Sequence, residues 1–237
     1  MRSAGRVVRE VLESVRSKVK PGATTLDLEK AAEARLAELG GKAAFKGYHG
    51  FPCVLCASVN SEVVHGIPSP KRVLKEGDIV SLDFGAIVDG YYGDAAITVP
   101  VGEKIDADTA RLLRVTEASL HAAIEVVRPG ATLGDVGAAV QGLVEAEGFS
   151  VVRDFVGHGI GVHMHEEPQV PNFGEAGRGM RLRAGMVIAI EPMVNAGKPD
   201  VQVLGDGWTA VAADGSMSAH FEHTVAVTAT GARVLTE

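Results

Sequence analysis

The sequence predicts an α+β fold of two related halves around a pseudo-two-fold axis, with helices covering one face of a mainly antiparallel sheet. Two observations lead to this prediction: segments of the first half recur in the second half in the same order, and each pair has the pattern of the same structural element. The chain of 237 residues is 46% hydrophobic and can fill a sizeable core. We therefore expect one domain over residues 1–237, divided by the duplication into about 1–105 and 106–237.

The helical segments of the two halves begin alike. After an amphipathic start, "VKPGATTLDLEKAAEARLAELG" begins at Val19, and the similar "VRPGATLGDVGAAVQGLVEAEG" begins at Val127. In each copy a threonine precedes an aspartate by three positions and opens an apolar helical period. This pattern predicts a capped helix start in both halves.

The strand segments recur with the same spacing. "LKEGDIVSLDFG" at Leu74 corresponds to "LRAGMVIAIEPM" at Leu182, at the offset that separates Val19 from Val127, so Asp83 corresponds to Glu191. Alternating apolar residues predict that the first of these segments is a half-buried strand. "YYGDAAITVPVG" resembles "AHFEHTVAVTATG", which places Asp94 opposite Glu222 if the second half carries an insertion that includes "GKPDVQVLGDGWTAVAADGS". Each half is thus predicted as helix, helix, strand, strand.

The four acidic residues are expected to converge near the axis between the halves. They cannot all ionise beside one another without cations, and a divalent metal is the simplest one. For Asp83 alone, a buried aspartate that caps a turn is an equal alternative. The oxygen-rich set favours Mn, Fe or Co over a closed zinc site with thiolates, and the paired acids suggest two ions about 3.5 to 4 Å apart with a shared water or hydroxide.

Histidines could complete this ligand set. In "VGHGIGVHMHEEPQVPNFG", His158 lies between glycines that would let the backbone approach a ligand, and His163 and His165 share one side if the segment is extended. Spacing does not rank His49, His65 and His223, each of which could belong to the core or the site. His121 is predicted on a solvated helix face. Glu166 and Glu167 are ambiguous, because they adjoin the histidines.

Composition excludes several classes of function. The net charge of -7 and the pI near 5.6 argue against nucleic acid or an anionic membrane as the main partner. No nucleic-acid-binding motif, membrane span or signal peptide is recognised, so a cytoplasmic protein is expected. Cys53 and Cys56 could be a redox pair or half a zinc site, but nothing completes a zinc motif, and buried or pocket-lining thiols are favoured.

Several ordered motifs together resemble the type I methionine aminopeptidases over the whole chain. These motifs are "VVHGIP", "GDIVSLDFG", "GYYGDAA", "GHGIGVHMHEEP", "IAIEPM" and "HFEHTVAVT". The resemblance implies the duplicated pita-bread fold and a metal-dependent exopeptidase. It implies two divalent ions, with Co, Mn, Fe or Zn as the possible metals, held by Asp83, Asp94, His158, Glu191 and Glu222. Asp94 and Glu222 are expected to bridge both ions.

The same resemblance implies roles for the remaining site residues. Glu191 would handle the proton of the nucleophile, His165 rather than His163 would steady the scissile carbonyl, and His65 would lie near the peptide nitrogen. An apolar pocket for the methionine side chain is expected from Tyr48, Phe51, Cys56, Met164 and Trp208, with Phe45 adjacent in sequence. Family members often carry an aromatic residue at the position of Met164.

The expected substrates are the N-termini of nascent polypeptides, at the ribosome, with a small second residue, and a monomer is expected. The compact chain has no N-terminal zinc-finger or polybasic extension, which favours type I over type II. The enzymatic alternative is a proline-directed peptidase such as proline dipeptidase or aminopeptidase P. The alternative from another class is a binding module without activity, which the complete ligand set disfavours.

Overall fold

The four helices of the computed structural model, which describes residues 1–237, occur as two pairs. They are α1 (Arg2–Arg16), α2 (Thr25–Glu38), α3 (Ala107–Val126) and α4 (Leu133–Ala146). The second helix of each pair starts with a complete capping box, Thr24 with Asp27 and Thr132 with Asp135. The predicted helix starts are therefore present in both halves, because the hydroxyl and carboxylate satisfy backbone N–H groups reciprocally. No helix combines the length and the apolar character needed to cross a bilayer.

The strands form one large sheet and two small ones, and every strand pair is antiparallel. In chain order the strands are β1 (Lys42–Ala43), β2 (Leu55–Val59), β3 (Glu62–Val64), β4 (Ile79–Val88), β5 (Tyr91–Pro100), β6 (Ser150–Val151), β7 (Gly157–Gly159), β8 (Glu166–Val170), β9 (Val187–Ile190), β10 (Met193–Asn195), β11 (Val201–Val203), β12 (Ala210–Ala212), β13 (Ser218–His220), β14 (Glu222–Val227) and β15 (Ala232–Val234). The nine-stranded sheet has the order β1-β4-β5-β14-β9-β7-β8, with β2 on β4 and β15 on β14. The predicted α+β pita-bread fold is confirmed.

Backbone contacts recur between the halves at the spacing seen in the sequence. The amide of Gly22 donates to the carbonyl of Leu74, and at the equivalent place in the second half the amide of Gly130 donates to the carbonyl of Leu182. Isolated bridges join Thr24 to Val73 and Thr132 to Arg181, with the same offset. Each half thus ties the start of its second helix to the loop before its first long strand.

The core consists mainly of one apolar cluster per half. The first cluster packs α1 and α2 against β2, β4 and β5, and the second packs α3 and α4 against strands of the second half. Ile97 on β5 packs against both clusters. The two halves meet where β5 pairs with β14, in register at Glu222 with Ala96 and at His223 with Ala95. This seam lies beside the site described below.

Two strand predictions need correction. The segment predicted as a half-buried strand, β4, is buried on both faces over most of its length. Its apolar residues pack under the helices, while Ser81 meets Thr98 and Asp83 enters an internal cavity. In the second half, the corresponding strand is divided into β9 and β10 around Glu191 and Pro192, because a proline has no N–H to continue a ladder.

Candidate metal centre and active site

All twelve residues predicted for the site line a single cavity of about 450 Å³. The lining also includes Phe45 and His49, so His49, which sequence spacing left undecided, borders the cavity. The complete lining is Phe45, Tyr48, His49, Phe51, Cys56, His65, Asp83, Asp94, His158, Met164, His165, Glu191, Trp208 and Glu222. Asp94, His158 and Glu222 form one group in the wall, and Phe45, Phe51, Cys56 and Met164 form an apolar cluster.

The acidic residues come from strands of both halves. Asp83 lies in the middle of β4, and Asp94 lies opposite Gly85 of that strand, on β5. Glu191 directly follows β9, and Glu222 begins β14. The pairing of β5 with β14 therefore brings carboxylates that are distant in sequence to one point.

His158 on β7 presents a free nitrogen lone pair to this cluster. Its Nδ1 lies 2.8 Å from the carbonyl oxygen of Gly159, which can only accept, so Nδ1 carries the proton. Burial, together with the neighbouring His165, lowers the pKa of His158 to about 4, so the ring is neutral and Nε2 is unprotonated. Nε2 lies 3.9 Å from Oδ2 of Asp94 and 3.7 Å from Oε1 of Glu191. Lone pairs that converge in this way suit a shared cation.

The carboxylates have no neutralising partner, although Asp94 and Glu222 are buried and Asp83 and Glu191 are largely so. No lysine or arginine nitrogen lies within 4.0 Å of them, and Oδ1 of Asp83, Oδ1 of Asp94 and Oε1 of Glu222 have no hydrogen-bond donor. Burial raises the pKa of Asp94 to about 7. Burial and the surrounding carboxylates also raise the pKa values of Asp83, Glu191 and Glu222 well above their usual range.

These observations fit a divalent metal. Ligand atoms of Asp94, His158 and Glu222 all lie within 4.8 Å of one another, and Asp83 and Glu191 flank them in the same cavity. A bound ion would compensate the charges that burial makes costly, and orphaned carboxylate oxygens are its natural donors. The residues present therefore form a buried group that could bind metal.

Two threonine hydroxyls connect β5 to β14 and to β13 beside this cluster. The amide of Asp94 donates to Oγ1 of Thr224, and that hydroxyl donates to the carbonyl of Asp94, at 3.0 and 2.7 Å. Thr98 bonds to the amide and the carbonyl of His220 in the same manner, at 2.9 and 2.7 Å. The hydroxyls thus satisfy buried backbone groups at the junction of the halves and fix the direction of the adjacent side chains.

His163 and His165 are both exposed, but only His165 lines the cavity. The segment that carries them, 161–165, is a bend rather than the extended chain considered from the sequence. Oε1 of Glu166 accepts from the amides of Val162 and His163 and so holds the bend, while Glu167 is exposed. The ring of His165 lies 4.3 Å from that of His158, centre to centre.

The inserted segment of the second half supplies one wall of the cavity. It folds as the hairpin of β11 and β12, which pairs with β3. The hairpin presents the ring of Trp208 edge-on to Phe51 at 5.2 Å and to His65 at 6.3 Å. Burial, together with the neighbouring His165, lowers the pKa of His65 to about 4, so this imidazole is neutral.

Both thiols are free, and of the two only Cys56 lines the cavity. Cys56 is buried in the cluster that contains Phe51 and Met164, with Cys53 packed against it. The backbone before Cys56 is held by Glu29 of α2, whose two carboxylate oxygens accept from the amides of Val54 and Leu55 at 2.8 and 2.9 Å. Glu29 was not recognised from the sequence, because it occurs in an ordinary amphipathic helix.

His220 is the second residue that sequence reasoning missed. It is only 1% exposed, and its Nε2 lies 3.7 Å from Oε2 of Glu191. Burial, together with the neighbouring His65, lowers its pKa to about 3. The motif "HFEHTVAVT" contained a signal, since His220 precedes Glu222 by two positions on a strand path and so shares its side.

His223 points away and contacts Thr236, and His121 is exposed, as predicted.

The glycines that flank His158 have a different purpose from the one expected. A Cβ at Gly157 would collide with the carbonyl of Ala189, and one at Gly159 would collide with the backbone of Glu167. The glycines therefore permit β7 to approach its neighbouring strands closely, rather than admitting a ligand to the backbone.

Comparisons with known proteins agree with this geometry. The model of metallopeptidase family M24 matches residues 1–229. Methionine aminopeptidase 1 of Bacillus subtilis (strain 168) is 50% identical over 236 residues, which cover all of this chain and 94% of that protein. Methionine aminopeptidase of Escherichia coli (strain K12) is 46% identical over 237 residues, which cover all of this chain and 89% of the relative.

Solved structures also include proteins that are similar to this chain. The crystal structure of methionine aminopeptidase from Thermotoga maritima superimposes with a TM-score of 0.98 at 51% identity, covering 100% of this chain and 95% of that one. The prolidase of Pyrococcus furiosus has a TM-score of 0.79 at 22% identity, and 62% of its chain is covered. The prolidase therefore shares the fold, while the first structure shares both fold and sequence.

Proposed function

Because the chain belongs to metallopeptidase family M24, within its methionine aminopeptidases, we propose that it removes the initiator methionine from nascent polypeptides that have a small second residue. The single observation that carries this proposal is the composition of the cavity. Buried carboxylates and a neutral histidine face one part of it, and apolar and aromatic side chains with Met164 form the rest.

We propose that Asp83, Asp94, His158, Glu191 and Glu222 would hold two divalent ions. When bound, the ions would supply an activated water and stabilise the negative charge that develops on the scissile carbonyl. The donor set of four carboxylates and one imidazole favours Mn, Fe or Co. Zn is included as the fourth metal to be tested.

The chain's own side chains would manage protons and orientation. Glu191 would accept the proton of the attacking water, and its position in the cavity wall beside His158 supports this role. His165 would donate to the scissile carbonyl oxygen through Nε2, since its Nδ1 is engaged by the hydroxyl of Tyr48. His65, which is neutral and faces the same cavity, would bond to the peptide nitrogen.

The apolar wall would select the methionine side chain. Tyr48, Phe51, Cys56, Met164 and Trp208 present aromatic rings and sulfur atoms, which make favourable contacts with a thioether. We attribute the preference for a small second residue to a cramped neighbouring subsite. The proposed setting is the cytoplasm, where the chain would act as a monomer on polypeptides emerging from the ribosome.

The test is release of methionine from Met-Ala-Ser and Met-Leu-Ser by chelator-treated protein after addition of Mn, Co, Fe or Zn. We expect metal-dependent cleavage of Met-Ala-Ser and little cleavage of Met-Leu-Ser. Equal cleavage of both peptides would overturn the second-residue preference. Cleavage of an X-Pro peptide instead would transfer the assignment to the proline-directed peptidases, and no cleavage despite bound metal would favour a binding module.

The roles of the histidines are tested by a matched pair of variants. His165→Ala should lower kcat/KM by about 100-fold, the usual cost of losing one donor to a developing oxyanion. His163→Ala should leave kcat/KM nearly unchanged, because this neighbour is exposed and lies outside the cavity. Equal effects of the two substitutions would contradict the assignment of His165.

A further inference from the structure

His220 is a buried imidazole that has no hydrogen-bond partner at either ring nitrogen. Its main chain is fixed, because the Thr98 hydroxyl bonds to both its amide and its carbonyl, and Ser81 contacts the same hydroxyl at 2.8 Å. The direction of the side chain is therefore set by the fold. Buried polar groups without a partner are rare in proteins, so the two orphaned nitrogens require an explanation.

The nearest acidic group to His220 is the carboxylate of Glu191, and the two oxygens of that carboxylate face different histidines. Oε1 lies 3.7 Å from Nε2 of His158, and Oε2 lies 3.7 Å from Nε2 of His220. His158 must present a lone pair, because its Nδ1 donates to Gly159. His220 has no such constraint, so its Nε2 is free to carry the proton toward Glu191.

We propose that His220 is a positioning residue for Glu191: its Nε2–H directs one carboxylate oxygen and leaves the other oxygen for the metal, which strengthens metal binding. This inference rests on the metal ligation proposed above, but it does not depend on the identity of the substrate. Outer partners of this kind orient ligands, and their loss commonly weakens metal affinity by about 10- to 100-fold.

A purely structural role makes a different prediction. If His220 only fills space between the seam of the halves and Glu191, an apolar side chain of similar size should preserve metal binding. If the site instead uses the N–H donor, a substitution that retains a donor should preserve metal binding, and an apolar side chain should weaken it. His220→Leu and His220→Gln therefore separate the two roles, and His121→Leu is the matched control, because His121 is exposed on α3.

The experiment is calorimetric titration of metal-free protein with Mn²⁺, with circular dichroism to verify folding. We expect His220→Leu to raise the Kd for Mn²⁺ by about 10-fold or more, His220→Gln to restore most of the affinity, and His121→Leu to change it less than twofold. If His220→Leu does not fold, His220→Met replaces it as the variant without a donor.

Two results would overturn the inference and leave the proposed metal ligation intact. A folded variant without a donor that binds Mn²⁺ as tightly as the unaltered protein would reduce His220 to a structural role. Equal weakening by Gln and Leu would show that a side-chain N–H is not what the site uses. Failure of the unaltered protein to bind Mn²⁺, Co²⁺, Fe²⁺ or Zn²⁺ would instead overturn the metal ligation itself, and the inference with it.

Discussion

The phenolic oxygen of Tyr48 lies 2.7 Å from Nδ1 of His165. Tyr48 belongs to the short 3₁₀ turn Tyr48–Gly50, where His49, Gly50 and the preceding Gly47 all have positive φ angles. A histidine at φ 48° is strained, so the fold holds this turn in place by contacts made elsewhere. Tyr48 therefore both lines the cavity and contacts the imidazole of His165.

Tyr48→Phe should lower kcat with little change in KM. The ring and its packing are retained, but Nδ1 of His165 loses its partner, and a net hydrogen bond of about 1 kcal/mol corresponds to about a fivefold decrease in rate. Steady-state hydrolysis of Met-Ala-Ser measures both constants. Tyr91→Phe is the control, because Tyr91 is 45% exposed and does not line the cavity. A change confined to KM would show that Tyr48 serves the pocket alone.

Removal of metal should lower the stability of the protein. Buried carboxylates lose their compensation, whereas an ion present at about 100 times its Kd adds about 2.7 kcal/mol to the free energy of unfolding. Denaturant titration of the chelator-treated protein with and without Mn²⁺ measures the difference. Asp94→Asn should remove most of the stabilisation by Mn²⁺. If Mn²⁺ stabilised Asp94→Asn as much as the unaltered protein, the ion would bind at another site.

Thr224→Val should destabilise the seam between the halves. Valine has nearly the same shape, but the amide and carbonyl of Asp94 lose the hydroxyl that satisfies both. Each buried polar group that loses its hydrogen-bond partner lowers the free energy of unfolding by about 1 to 3 kcal/mol. The comparison is with Thr230→Val, a substitution at an exposed turn residue, which should stay within about 0.5 kcal/mol of the unaltered protein. Equal denaturation midpoints for the two variants would rule out the seam as the cause.

Cys53 should react slowly with alkylating reagents, at a rate that rises with pH. Burial raises the pKa of its thiol to about 11 from an ordinary 9.0. At pH 8 the thiolate fraction is then about 100-fold below that of an ordinary cysteine, and it increases about tenfold per pH unit up to the pKa. Mass spectrometry of iodoacetamide labelling between about pH 7.5 and 9.5 measures the rate. Cys56→Ser leaves Cys53 as the only thiol, and labelling of this variant at the rate of a free cysteine would contradict the shift.

The sequence predicted the features that depend on local pattern or on repetition. Capped helix starts at Thr24 and Thr132 follow from a hydroxyl and a carboxylate three positions apart, and the duplication relates Asp83 to Glu191 before any coordinates are known. The motif resemblance also named twelve of the residues that line the cavity. These signals are visible in sequence because each one is a short, ordered pattern.

Features that depend on tertiary proximity were not predictable. The hydroxyl of Thr224 reaches the backbone of Asp94 from a distant part of the chain, and the Glu29 carboxylate finds amides that no local pattern relates to it. Both residues look ordinary in their own segments. The break at Pro192 could have been read from the sequence, since proline interrupts a ladder, whereas the corresponding residue of the first half is Phe84 and β4 continues.

The division of the carboxylates between strands of the two halves has an evolutionary consequence. Two copies of the first half, paired edge to edge along β5 as β5 now pairs with β14, would already supply four carboxylates around an axis. The imidazole is the exception, because the offset that relates Glu191 to Asp83 relates His158 to Gly50. An ancestor of half the length would thus have needed a homodimer to gather its acidic groups. Gene fusion would then have freed each half to diverge, and a histidine could be acquired on one side only.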